Sequence, residues 1–178
     1  MFLQSIKNIT TIILCASFIS SCNQSISYKR PQILSNFGSF ECETQKLSNK
    51  KYKNIWDKTR SGFCLDTVYS PRIDKEIQWF MSNKDFLYRS LDRATPFIYH
   101  VIRELERKIL PFELALLPIV ESGYQPYAYS PSKAAGIWQF IPPTAREYGL
   151  KKNWWYDGRR DIFASTKAAS HFLKDMKR

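Results

Sequence analysis

Residues 112–124 read FELALLPIVESGY, and nearly every position from Leu114 to Val120 is apolar. A surface helix shows one apolar stripe, so a segment that is apolar on all faces belongs inside a core. Pro111 precedes the run and Gly123 follows it, which predicts a helix from Phe112 to about Ser122 that opens at a proline and stops at a glycine. Glu121 closes the run on the stripe of Leu114 and Leu117. There a carboxylate meets the negative end of the helix dipole and apolar walls, and both raise its pKa toward the range of a general acid. Two readings stand at this point: a catalytic acid/base, or an exposed glutamate at a helix end. Pro118 withdraws a hydrogen bond from Leu114 and predicts a bent helix end beside a cleft. Glu113 lies in the first turn, where the dipole favours its charge, and reads as structural.

Further helices are expected on both sides. Upstream, Asp74 reads as the N-cap of a short helix carrying Ile77 and Phe80, followed by a helix from about Lys84 to Arg93. Thr95-Pro96 then reads as N-cap and first position of a third helix, with Phe97, Val101 and Leu105 at helical spacing. Downstream, Pro142-Pro143 opens a short helix that Gly149 can end, and Asp161 caps a last helix rich in Ala. Neither strand alternation nor a tandem repeat competes with this pattern, so the expected fold class is all-α.

After Glu121 come Tyr124, Tyr127, Tyr129, Trp138, Phe140, Tyr148, Trp154, Trp155 and Tyr156, interleaved with Gln125, Ser130, Ser132, Gln139 and Asn153. Aromatic faces beside amides and hydroxyls suit sugars, whose C–H faces are apolar and whose rims are polar. Part of this set must also serve the core.

The start of the chain reads differently. Residues 1–21 combine Lys7, an apolar stretch from Ile9 to Ile19 and small residues before Cys22, as in a secretory signal peptide. Ile19-Ser20-Ser21-Cys22 is similar to a bacterial lipobox, which implies lipidation of Cys22; an ordinary cleaved signal or an uncleaved anchor is the alternative. An acylated Cys22 would anchor the protein to a membrane, and Asn23 behind it favours the outer membrane, facing the periplasm. Residues 22–53 are polar and read as a flexible linker, with order beginning near Ile55-Trp56 in a domain covering 54–178.

The 178 residues carry a formal charge of +11, with 44% hydrophobic and 15% aromatic residues, enough for one packed domain. Nucleic acid is the usual partner of such basicity, but an exported chain meets anionic cell-wall polymer and lipid head groups instead. Lys46, Lys50, Lys51 and Lys53 read as a solvated linker. Cys42 and Cys64 either form a disulfide, worth roughly 3 kcal/mol for a loop of about twenty residues, or stay as two thiols. His100 and His171 stand apart, and with no paired ligand spacing neither a metal nor another cofactor is expected.

The run LALLPIVESGYQPYAYSPSKAAGIWQF, followed by PPTAREYGL and YDGRRDIFASTKAA, resembles family 1 lytic transglycosylases, most closely the membrane-bound D type. The likeness extends over roughly Ile55 to Lys177. Glu121-Ser122 matches the Glu-Ser motif that holds the family's single catalytic acid. Gly136-Ile137-Trp138-Gln139 matches the Gly-Leu-Met-Gln motif, whose Gln lies at the glycan groove. The resemblance implies a lysozyme-like (goose-type) helical domain acting on peptidoglycan glycan strands at the β-1,4 bond between N-acetylmuramic acid and N-acetylglucosamine. It further implies Glu121 as acid/base, Ser122, Tyr124, Trp138 and Gln139 as substrate-binding residues, no cofactor, and a monomer. Family members continue to an Ala-Tyr-Asn motif, and the D type adds LysM repeats. A chain ending at Arg178 is therefore expected to be an incomplete domain of low stability or activity. The alternative functions are a noncatalytic murein-binding lipoprotein or inactive remnant, and a hydrolytic enzyme.

Overall fold

The computed structural model describes residues 51–66 and 68–176. The signal, Cys22 and Cys42 expectations lie outside them, as do most of the linker and the last two residues. The helices, in chain order, are α1 (Ile55–Ser61), α2 (Pro71–Ser82), α3 (Lys84–Lys108), a 3-10 helix η1 (Phe112–Leu116), α4 (Leu117–Ser122), α5 (Pro142–Glu147) and α6 (Ile162–Met176). Among the described residues there is no strand, only isolated bridges such as Ala135 with Phe140. The fold is all-α. No helix among the described residues is long and apolar enough to cross a membrane.

α3 is the axis of the domain. Its buried residues Ala94, Ile98, Val101, Ile102 and Leu105 form one stripe, against which α6, η1, α2 and α4 pack. The two helices expected here are one, because Thr95 does not cap. Its hydroxyl donates back to the Leu91 carbonyl at 3.0 Å, and Pro96 sits inside a helix of 25 residues. Pro96 forfeits one backbone hydrogen bond, but the apolar stripe runs on through it and outweighs that local loss. α2 likewise starts earlier than expected. Ser70 caps it by accepting from the Arg72 N–H at 3.3 Å, Pro71 takes the first position, and Asp74 lies within the first turn.

The decisive run 112–122 is also two elements. η1 turns tightly through Phe112 to Leu116, and α4 begins at Leu117 with Pro118 in its first turn. A proline lacks the N–H that would bond Leu114, but the first turn of an α-helix needs none. Pro118 thus marks the junction of two helices and not a bend inside one. The run is buried from Phe112 to Ile119, as its composition requires.

α5 opens at Pro142 as expected, and Asp161 caps α6 by accepting from the Ala164 N–H at 2.9 Å. A second small core of Phe140, Ala145, Leu150, Ala168 and Ala169 joins α5 to α6, and Trp138 packs against both cores.

Candidate active site

α4 ends at Gly123, whose left-handed φ of 59° lets its N–H bond the Ile119 carbonyl at 2.9 Å. Tyr124 follows with φ 58°, and its N–H reaches the Pro118 carbonyl at 3.0 Å. Arg93 of α3 donates to the Gly123 carbonyl at 3.3 Å, which fixes this helix end against the domain axis. Glu121 therefore stands in the last turn of a short, tightly tethered helix. Its carboxyl is half-buried, and among the described residues nothing hydrogen-bonds it. Burial pushes its pKa above the ordinary carboxylate value.

Ser122 is the link to the second motif. Its Oγ lies 3.0 Å from the Ile137 carbonyl and 3.2 Å from the Pro118 carbonyl, so its one proton serves the loop 134–140 and its own helix. The segments carrying Glu121-Ser122 and Gly136-Ile137-Trp138-Gln139, separated by more than a dozen residues of sequence, are thereby physically joined.

Within that loop Gln139 adopts φ 48° and donates from Nε2 to the Gly136 carbonyl at 2.7 Å and the Ala128 carbonyl at 3.4 Å. Both neighbours are acceptors, so the amide nitrogen is committed inward and the amide oxygen remains for another donor. Trp138 is half-buried and gives its indole N–H to Thr166 of α6 at 3.0 Å. Tyr124 is placed differently from its expected substrate-contacting position. It is fully buried, its hydroxyl donates to the Ala115 carbonyl, and burial pushes its phenol well up. A side chain with no exposed surface supports η1 and α4 from beneath and touches no ligand.

The sequence reading assigned no role to Arg159, which is only 3% exposed. Its guanidinium pairs with Asp157 at 2.6 Å and donates to the Lys133 and Phe140 carbonyls at 2.6 and 3.2 Å. One buried cation thus ties both ends of the loop 133–140 to the approach of α6, and it holds the Asp157 carboxyl below its usual range. Asp-Gly-Arg-Arg-Asp at 157–161 could have signalled an ion pair, but nothing in it says which arginine turns inward.

Glu113 differs from expectation as well. It is 1% exposed, Oε1 accepts from the Leu65 N–H at 2.8 Å, and Oε2 is buried without a hydrogen-bond partner. Burial outweighs the backbone N–H groups that favour its anion, so the pKa is raised where the helix dipole alone predicts the reverse. Neighbouring Cys64 is disulfide-bonded. A carboxyl with a higher pKa folded than unfolded stabilises the fold fully below the unfolded value of 4.5, and that contribution is lost as pH rises through the folded value. Glu113→Gln keeps the acceptor and cannot ionise. Its melting temperature is expected to match wild type near pH 4, to exceed it by a margin that grows as pH rises above 4.5, and to keep that margin once pH has passed the folded value; a variant that melts below wild type at every pH contradicts this.

Residues 99–178 match the family model described as Transglycosylase SLT domain. The chain carries a transglycosylase SLT domain. Proteins named Membrane-bound lytic murein transglycosylase D from two strains of Escherichia coli are each 46% identical over 103 residues, covering 58% of this chain and 23% of theirs. A protein named Putative tributyltin chloride resistance protein, from an Alteromonas species, is 43% identical over 82 residues, covering 46% of this chain and 40% of its own. The chain thus aligns with about a quarter of the length of the Escherichia coli proteins. Both the Glu121 helix end and the joined loop lie inside the SLT domain, whose all-α architecture is lysozyme-like.

Proposed function

We propose that this chain is a lytic murein transglycosylase in which Glu121 is the single acid/base. The observation that carries the reading is the Ser122 hydroxyl, which joins the helix end bearing a half-buried, unbonded Glu121 to the Gln139 loop. A carboxyl raised by burial is still protonated at a pH where an ordinary one has ionised, so it has a proton to give.

In this reading neutral Glu121 donates its proton to the glycosidic oxygen as the bond to the muramyl C1 breaks, and the leaving N-acetylglucosamine departs with a free 4-hydroxyl. The acetamido group of the muramyl sugar supports the cationic centre, so a second protein carboxylate is not required. Glu121, now anionic, takes the proton of the C6 hydroxyl as that oxygen attacks C1. The ring closes as a 1,6-anhydro sugar, the enzyme regains its proton and no water is consumed. Gln139 offers its amide oxygen to a sugar N–H or O–H, and the exposed part of Trp138 offers an apolar face. Ser122 positions the two segments.

The same reading makes Cys22 the site of lipidation after removal of residues 1–21, with the domain held in the periplasm at the outer membrane. Digestion of purified sacculi followed by mass spectrometry tests the chemistry. Muropeptides ending in 1,6-anhydro sugars are expected; reducing ends would make the enzyme a hydrolase, and undigested sacculi would leave only glycan binding.

A further inference from the structure

The segment 151–158 between α5 and α6 is a small hairpin with an unusual tip. Lys152 and Asp157 form an antiparallel bridge, the Gly158 N–H bonds the Lys151 carbonyl at 2.8 Å, and the Asn153 N–H bonds the Tyr156 carbonyl at 2.8 Å. The Asn153 side chain fills the turn, accepting from the N–H groups of Trp155 at 2.9 Å and Tyr156 at 2.7 Å. Tyr156 roots the hairpin by donating its hydroxyl to Asp161 at 2.9 Å. This ordered support presents Trp154 and Trp155 to solvent at 88% and 91% exposure. Two adjacent indoles held out on a braced turn contribute nothing to the core, and their apolar surface is available to a partner.

The surroundings of the tip favour one kind of partner. Lys151, Lys152 and Arg160 are exposed beside it, while Asp157 is engaged by Arg159, and Asp161 by Tyr156 and the Ala164 N–H. The surface around the indoles is therefore cationic. The tip is convex, whereas glycan and small-ligand sites are concave. The two rings stand at 86° with centroids 6.5 Å apart, so they share no plane on which successive sugars could stack, and the Asn153 carbonyl oxygen is consumed by the turn. An indole is an amphipathic ring that settles at the boundary between acyl chains and head groups, and lysines alongside reach lipid phosphates.

We propose that the Trp154–Trp155 tip inserts into the interface of an anionic lipid bilayer and holds the SLT domain against the membrane. The contact does not depend on Cys22 acylation or on catalysis, so its failure and the failure of the enzymatic reading are separate results.

The experiment uses the full chain carrying Cys22→Ser, mixed with phosphatidylglycerol and phosphatidylethanolamine vesicles whose acyl chains are brominated. Bromine quenches only indoles that enter the lipid, so an apolar leader that also binds vesicles does not obscure the readout. Strong tryptophan quenching is expected, and Trp154→Ala/Trp155→Ala should abolish most of it, since Trp56, Trp79 and Trp138 remain in the protein. Lys151→Glu/Lys152→Glu should weaken quenching on anionic vesicles by at least about thirtyfold in lipid concentration and leave neutral phosphatidylcholine vesicles unaffected. Equal quenching in wild type and the double tryptophan variant overturns the proposal. So does an absence of lipid quenching with either a fluorescence response to soluble murein strands or a dimer that the tryptophan substitutions dissolve.

Discussion

Glu121→Gln is expected to lower murein cleavage by about a thousandfold, within the range that positioned proton transfer supplies, while leaving the fold intact. The amide fills the same space but can neither give the proton to the glycosidic oxygen nor take one from the C6 hydroxyl. Since nothing among the described residues hydrogen-bonds the Glu121 carboxyl, the substitution breaks no structural bond. Release of soluble muropeptides and a thermal melt, measured on one preparation, separate the two effects. The informative comparison is Glu113→Gln, which alters a more deeply buried carboxyl in the preceding element, η1, and is expected to keep cleavage within about threefold of wild type. If the two variants lose activity equally, or if Glu121→Gln digests sacculi normally, Glu121 is not the acid.

The pH profile of the wild type follows from the same carboxyl. Burial raises the Glu121 pKa, and in the proposed mechanism this carboxyl donates only while protonated. Cleavage should therefore persist above the pH at which an ordinary carboxylate ionises and fall as pH rises through the raised value. Residual activity in Glu121→Gln should not show that alkaline limb. Retention of the limb would assign it to another group.

The two large features of the fold were legible in the residues because they rest on composition. The all-apolar run ending at Glu121 had to be buried, and Pro142 and Asp161 had to stand at helix starts. What misled was local grammar where packing overrode it. Thr95-Pro96 has the form of a helix start, yet the stripe from Ala94 to Leu105 carries α3 through it. Glu113 sits where a dipole favours its charge, but long-range contact with the Leu65 segment seals it from water, and no pattern within the run itself reveals that cover. The same limit applies to the aromatics. Tyr124, Trp138 and Trp154 look alike in sequence, and the chain sends one beneath the site, one between two cores and one into solvent. The Glu-Ser and Gly-Ile-Trp-Gln motifs could be recognised singly; that a serine hydroxyl joins them is a fact of three dimensions.

That junction depends on how closely the loop 134–140 approaches the segment before α6, and Gly136→Ala is expected to break it. Gly136 has φ 81°, and a Cβ there would stand 1.7 Å from the Arg159 carbonyl oxygen and 2.7 Å from its carbon. The obstacle is backbone, so no side-chain rotation relieves it, and Arg159 is itself held by Asp157, Lys133 and Phe140. Either the loop lifts or the buried guanidinium loses partners, and the expected loss of stability is at least about 3 kcal/mol, or roughly 10 °C in melting temperature. Gly149→Ala supplies the measure of backbone strain alone. Its φ is 76° but no atom lies within 4 Å of the added Cβ, so it should cost only about 1 kcal/mol. If the loop is what carries Gln139 and the Ile137 carbonyl to the Glu121 helix end, Gly136→Ala must also lose cleavage below its melting temperature, whereas Gly149→Ala retains it. Equal stability of the two variants would show that the Gly136 contact yields without cost, and normal cleavage by folded Gly136→Ala would show that the acid at Glu121 acts without the loop that Ser122 fastens to it.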